Sequence, residues 1–294
     1  MGTKIIISGI LLFSLFLFMW QPAVAATNLY APEAYTETNG QAGPWYYSGG
    51  GMTLTAMQLV WDDRRYTLAD VVCGDLPICS GAGGGDTSYT TSEHPWQLAR
   101  RYSAVLALTG DYLTHSLNDK GVMIRNGTIW YDGKAADTLA MLPEGRLAVY
   151  PAGTISASEL LENGVVNSWA FGPILVMNGK AYEPALRHPL RHMNVRSVVA
   201  MIEPGHFLFL ATTDRFTNSE MQTLLLEYDV ELAYQLDGGH SAALVLMGEQ
   251  LNPKAVYDRW GASQRRMIDM LLLGQSSLVP ERGDERRYSA VFSQ

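Results

Sequence analysis

Cysteine is nearly absent from this chain of 294 residues: there are two, Cys73 and Cys79, alongside six histidines. With no CxxC pair and no HExxH run, neither a thiolate zinc site nor a zincin-type protease site can be assembled. Charge is sparse as well. Charged residues make up 17% of the chain, and acids outnumber bases 29 to 21, for a formal net charge of -8. That balance argues against nucleic acid as a partner. Long apolar runs are also missing. The longest, residues 5–20, falls short of the roughly 20 needed to span a membrane. Chemistry must therefore rest mainly on oxygen and nitrogen groups, in a chain whose 47% apolar content is enough to bury a core.

The run at 5–20 follows Lys4 and is followed by Pro22, Ala23, Val24 and Ala25, the pattern of a secretory signal. Residues 1–25 are read as this leader, with no stable membrane span after its cleavage, and the mature chain as secreted or held in the cell envelope. In that oxidising setting Cys73 and Cys79, separated by a turn containing Gly74, Asp75 and Pro77, are expected to close a small disulfide loop; the alternative is two buried thiols. Residues 26–52 read as a linker or irregular lead-in, 53–275 as a single catalytic domain, and 276–294 as a tail. The Gly-rich stretch 80–88 lacks the Lys-Ser/Thr ending of a phosphate-binding loop and reads as a mobile loop.

Short apolar runs at 105–108, 122–124, 128–131, 147–150, 174–177, 198–202, 207–211 and 243–247 lie between turn signals and read as strands. Asn126-Gly127 and Asn178-Gly179 are hairpin turns, because a type I′ turn needs positive φ at both central residues. Two helices interrupt the strands, each opened by a capping box: Ser156 with Glu159, and Thr217 with Glu220. Met221, Leu224, Leu225 and Tyr228 form an apolar stripe on the second. Strands with a few inserted helices predict an α+β fold, mostly antiparallel.

The turn Asp237-Gly238-Gly239-His240-Ser241 sets a carboxylate before two glycines. Glycine lets backbone N–H groups turn inward on an anion or lets a ligand approach the main chain; a plain structural turn explains the same residues. Asp111, after Gly110 and the strand at 105–108, either faces a cleft or caps a turn. The basic run Arg187, His188, Arg191, His192, Arg196 offers guanidinium forks to phosphate. Most such runs are solvated surface, and Arg196, bordering a buried strand, is the one expected to point inward. Asp214-Arg215 repeats the arrangement of a charged pair at a strand end.

Four stretches in order, LALTGDYL with GVMIRNG (106–127), AFGPILVMNGK (170–180), NVRSVVAMIEPGHFLFL (194–210) and YQLDGGHSAALVLMGEQLN (234–252), resemble the phosphodiester glycosidase family. Weaker similarity at 65–74 and 265–272 extends the resemblance over most of the mature chain. The chain departs from the family pattern at Thr109, often Asn; at Thr213-Asp214-Arg215, where Asp-Gly-Arg is usual; and at His240, where the family has a third glycine.

The resemblance implies hydrolysis of a sugar-1-phosphodiester at the anomeric carbon, releasing a free, N-acetylglucosamine-like sugar and a phosphomonoester, on a phosphorylated glycan or a smaller phosphodiester. Such a reaction asks for a pair of carboxyl groups and fixed positive or N–H charge for the phosphate. Asp237 and Asp111 are the expected carboxylates, with Asp214 in reserve. Arg196, the Gly238 and Gly239 backbone, His240 and Ser241 are expected to hold the phosphate, with Arg125 on the sugar side. Two other readings stand beside this one: a non-catalytic glycan-binding module of the envelope, and a phosphodiesterase breaking the P–O bond with a divalent cation held by Asp111, Asp214 and Asp237. The hydrolase reading requires no cofactor, and a cation such as Ca²⁺ would suit the three aspartates.

Overall fold

A computed structural model of the chain describes residues 34–36, 43–85, 89–111, 119–254, 256–257, 261–262 and 264–281. Residues 1–25, read as a leader, parts of the stretch read as a lead-in, residues 86–88 of the Gly-rich stretch and the residues beyond 281 lie outside the described residues. Strand pairing is antiparallel throughout these residues.

Three sheets share one core. The largest has nine strands and carries Ser197–Glu203 and His206–Thr212 near its centre. These strands are apolar at nearly every position because both their faces are covered. Along Ser197–Glu203, Val199 and Met201 enter the central core while Val198 and Ala200 face the helix Asn218–Leu226. Phe207 and Phe209 alternate with Leu208 and Leu210 in the same way. Two five-stranded sheets close the core. One contains Val122–Arg125, Thr138–Leu142 and Asn167–Trp169, and its outer face lies under the helix Ala157–Glu162. The other sets Ala104–Thr109 between Leu244–Leu246 and Asp269–Gln275, with the helix Pro95–Arg101 outside.

Each sheet thus gives one face to the shared core and covers the other with a short helix. The molecule is β-dominated: its three described α-helices have seven, six and nine residues and act as lids on sheets rather than as a layer of their own. This corrects the weight that the α+β expectation placed on helices. The local signals hold. Asn126 and Gly127 have φ of 50° and 76°, Asn178 and Gly179 54° and 67°. Both capping boxes form, and Met221, Leu224 and Leu225 are buried.

Three expectations change. The stretch read as irregular lead-in contains Ala34–Thr36 and Trp45–Gly49, strands of the large sheet. In the second, Trp45 and Tyr47 are buried and Tyr46 and Ser48 exposed, an alternation masked in sequence by the surrounding Gly, Pro and Tyr. The stretch read as a mobile loop begins with the strand Cys79–Ala82 and the turn Gly83–Gly85. The expected disulfide is not formed. Cys73 is buried in the central core, and Cys79 is exposed with its thiol toward the Pro77 carbonyl at 3.7 Å. Burial pushes the Cys73 thiol up to about 12. A thiol-modifying reagent is therefore expected to label Cys79 in the native protein and Cys73 only after denaturation, counted by mass spectrometry; protection of both until a reductant is added would restore the disulfide.

Candidate active site

The three sheets meet at the C-terminal ends of Ala104–Thr109, Val122–Arg125 and Leu232–Leu236. Arg125 is fully buried there. Its Nη2 donates to Asp111 Oδ2 at 2.8 Å and to Asp269 Oδ2 at 3.1 Å, and its Nη1 donates to the Ser168 and Ile124 carbonyls. The guanidinium also lies 5.7 Å and 5.8 Å from the ring centroids of Tyr89 and Trp169. Asp111 is engaged at both oxygens: besides Arg125, both of them accept the Ala170 N–H at 3.0 Å. Gly110 is required by the same cluster, since a Cβ at that position would come within 2.4 Å of Asp269 Oδ2. Burial, against the pull of Arg125, pushes the Asp269 carboxyl up to about 7, with Asp111 adding repulsion. Asp269 Oδ1 is buried without a hydrogen-bond partner among the described residues.

Asp237 stands at the edge of this cluster. Its N–H donates to the Gly110 carbonyl at 3.1 Å, so the aspartates at 111 and 237 lie at adjacent chain crossings. Unlike Asp111, Asp237 lines a cavity of about 290 Å³ together with Phe171, Asn194, Arg196, His240 and Arg265. Burial raises its carboxyl above the ordinary range, opposed by a hydrogen bond with Ser241 and by the charges of Arg265 and Lys120. Arg265 Nη1 lies 3.9 Å from Asp237 Oδ2 and donates to Ser241 Oγ at 3.3 Å. Lys120, buried, places its ammonium 5.0 Å from the centroid of Phe171. Burial and Arg265 hold His240 below its usual value.

The remaining expected site residues separate. Arg196 is buried and lines the cavity, as its place beside a buried strand suggested, with its guanidinium donating to Phe216 O at 3.0 Å, Gln235 Oε1 at 2.9 Å and the His192 carbonyl. Arg187 and Arg191 of the same run are exposed. Arg125 does not line the cavity, because Asp111 and Asp269 draw it inward. The backbone N–H groups of Gly238 and Gly239, expected to hold phosphate, are used within the chain: Gly238 donates to Asp237 Oδ1 and Gly239 to Val195 O, both at 2.9 Å. The close approach explains the first glycine, since a Cβ on Gly238 would meet Val195 O at 2.3 Å.

Asp214 sits elsewhere, in a two-pronged pair with Arg65 at 2.9 Å and 2.8 Å, which holds its carboxyl below the ordinary value. Asp111, Asp214 and Asp237 are therefore held by separate partners and do not converge on a common cation, and among the described residues no group of three or more His, Cys, Asp or Glu side chains gathers into a metal site. Thr109, where the family often has Asn, donates its hydroxyl to Ser241 O at 2.7 Å and accepts the Ala243 N–H at 2.9 Å, tying the Asp237 turn to the neighbouring strand. Asp269, Lys120 and Arg265 complete the site without having been singled out from sequence. Asp269 and Arg265 fall in the weakly similar stretch 265–272, and Lys120 carries no signal at all.

The phosphodiester glycosidase family model matches residues 102–273, a span that takes in Asp111, Arg125, Asp269 and the Asp237 turn. The chain belongs to the phosphodiester glycosidase family. Similar folds are the catalytic domain of zebrafish N-acetylglucosamine-1-phosphodiester alpha-N-acetylglucosaminidase, auto-inhibited by its pro-peptide (TM-score 0.59, 17% identity, covering 84% of this chain and 89% of that one), and a hypothetical protein from Synechocystis (TM-score 0.53, 13% identity, 83% and 64%). In sequence, the SPbeta prophage-derived uncharacterized protein YomE of Bacillus subtilis is 25% identical over 179 residues, which is 55% of this chain and 27% of that protein. The chain thus spans about a quarter of that relative's length.

The buried cluster of this family member is sensitive to substitution. Arg125→Ala leaves two buried carboxylates facing each other and is expected to cost about 3–5 kcal/mol in urea unfolding. Asp269 has a pH signature. Its folded value lies above the unfolded value of about 3.9, so the unfolded chain loses the proton first and stability falls as pH rises from there to about 7. Asp269→Asn is expected to flatten that slope; an unchanged slope would show that Asp269 does not hold the proton.

Proposed function

We propose that the chain is a hydrolase that cleaves a sugar-1-phosphodiester at the anomeric carbon, releasing a free sugar and a phosphomonoester, in the cavity that Asp237 lines. The observation that carries this reading is the position of Asp237: among the described residues it is the one carboxylate on that cavity's wall, raised by burial and flanked by cations. Membership of the family supports this reaction class, and the zebrafish enzyme, whose name specifies N-acetylglucosamine-1-phosphodiester, supplies the sugar to try first.

The chemistry follows from the leaving group. A phosphomonoester leaves as a weak base, so departure of its oxygen with the electron pair of the C–O bond needs positive charge more than a proton. Arg265 and Arg196 provide that charge. Asp237 is then free to take a proton from the water whose oxygen bonds to the anomeric carbon, and a carboxylate raised by burial is a better base for this step. Asp111 acts behind it as a positioning residue, fixed by Arg125 and Ala170. The leader-like residues 1–25 support a secreted or envelope compartment for this activity.

The test is product analysis after incubation with N-acetylglucosamine-1-phospho-methyl-mannoside. Free N-acetylglucosamine and a phosphomonoester on the mannoside are expected, with kcat lowered at least about 100-fold in Asp237→Asn. Because the base must be ionised, kcat/KM is expected to fall on the acid side at a pH above the ordinary carboxylate range. N-acetylglucosamine-1-phosphate as product would instead mean P–O cleavage. Binding by a folded protein without turnover would mean a glycan-binding module.

A further inference from the structure

Beside the Asp237 cavity lies a second one of about 430 Å³, lined by Arg64, Arg65, Arg215 and Lys254 with Asp214 as its single carboxylate. Val195 lines both cavities, and its carbonyl accepts the Gly239 N–H at 2.9 Å. The partition between them therefore includes the same backbone that carries the Asp237 turn. Four cations line it against one lining carboxylate, and a second carboxylate, Glu220, pairs with Arg64 from outside the wall; cations still outnumber these acids, in a chain whose net charge is -8. Such an excess in a concave place concentrates anions, although Arg65 and Arg215 are themselves exposed to solvent.

Three of the four cations, Arg64, Arg65 and Lys254, are also held by contacts within the chain. Asp214 grips the Arg65 fork at two points, Arg64 is anchored to Glu220 at 2.6 Å and lies 5.5 Å from the Phe216 centroid, and Lys254 sits 6.0 Å from the centroid of Trp96. Arginine forks suit phosphate oxygens, and lysine adds a point charge. A single phosphodiester carries one negative charge, which Arg196 and Arg265 already match in the first cavity. The second cavity holds cations beyond that need.

We propose that the second cavity is a subsite for a further phosphate group of the same substrate, so that the preferred substrate is a glycan carrying at least two phosphates, one at the scissile bond and one on the part released as phosphomonoester. This inference rests on the hydrolase reading above. It differs from that reading in its residues, none of which touches the reacting bond.

The test compares two substrates, N-acetylglucosamine-1-phospho-methyl-mannoside and the same compound with one further phosphate on the mannoside. The added phosphate is expected to lower KM at least tenfold in the wild-type protein, with the advantage shrinking as salt rises. The double variant Arg215→Gln/Lys254→Gln is expected to lose that ratio, and Lys254→Arg to retain it. Equal KM values for the two substrates in the wild type, or a ratio that survives in the double variant, would overturn the subsite.

A second measurement separates failure of the subsite from failure of the hydrolase reading. Calorimetric titration with inorganic tripolyphosphate is expected to show binding at least tenfold weaker in the double variant, whose thermal unfolding is followed in parallel to confirm that it folds. If neither substrate is hydrolysed, this titration alone decides: weakened binding keeps the anion site, and equal binding removes it.

Discussion

The shared grip of Arg125 on Asp111 and Asp269 is the constraint around which the rest of the molecule is arranged. Two carboxylates and one guanidinium are withdrawn from water, and such a group is tolerable only when every charge is opposed and most polar atoms are bonded. The cluster meets that condition by drawing its members from two sheets. Asp111 and Asp269 come from one five-stranded sheet, while Arg125 and the Ala170 N–H come from the other. The large sheet joins through the bond from Asp237 N–H to Gly110 O. Three apolar sheets could slide over a common core; a buried ionic joint where they meet holds their relative positions.

This joint also explains the division of labour among the aspartates. Asp111 is bonded at both oxygens and its side chain has no exposed surface to offer a substrate, whereas Asp237 keeps a face toward a cavity. Its elevation comes from the same apolar surroundings that bury the cluster, and its cationic neighbours arrive from loops rather than strands. Rigid elements therefore fix where the carboxylate stands, and loops set the field around it.

Most of the fold was legible because its strands are short, apolar and separated by turns with unambiguous chemistry. Asn126-Gly127 and the Thr217–Glu220 capping box are local events that tertiary structure had no reason to override. Trp45–Gly49 was missed because a five-residue alternation is weak evidence among glycines and prolines. The site was legible only in part. The motif around 237 and the inward course of Arg196 could be read from neighbouring residues. That Arg125 would turn away from the sugar side to meet Asp269, 144 residues later, is a long-range fact with no local trace. The engagement of the Gly238 and Gly239 amides was equally invisible, since a glycine pair signals close approach without saying whether the approaching group is a ligand or, as here, the carbonyl of Val195.

The turn from Asp237 to Ala243 is held mostly through main-chain atoms: Gly239 N–H on Val195, the carbonyl of Ser241 on Thr109, and the carbonyl of His240 taking the Arg265 N–H at 2.8 Å. Residue 240 is thus secured by its backbone while its side chain borders the cavity. A side chain at position 240 can therefore alter what the cavity wall presents without loosening the turn that carries Asp237.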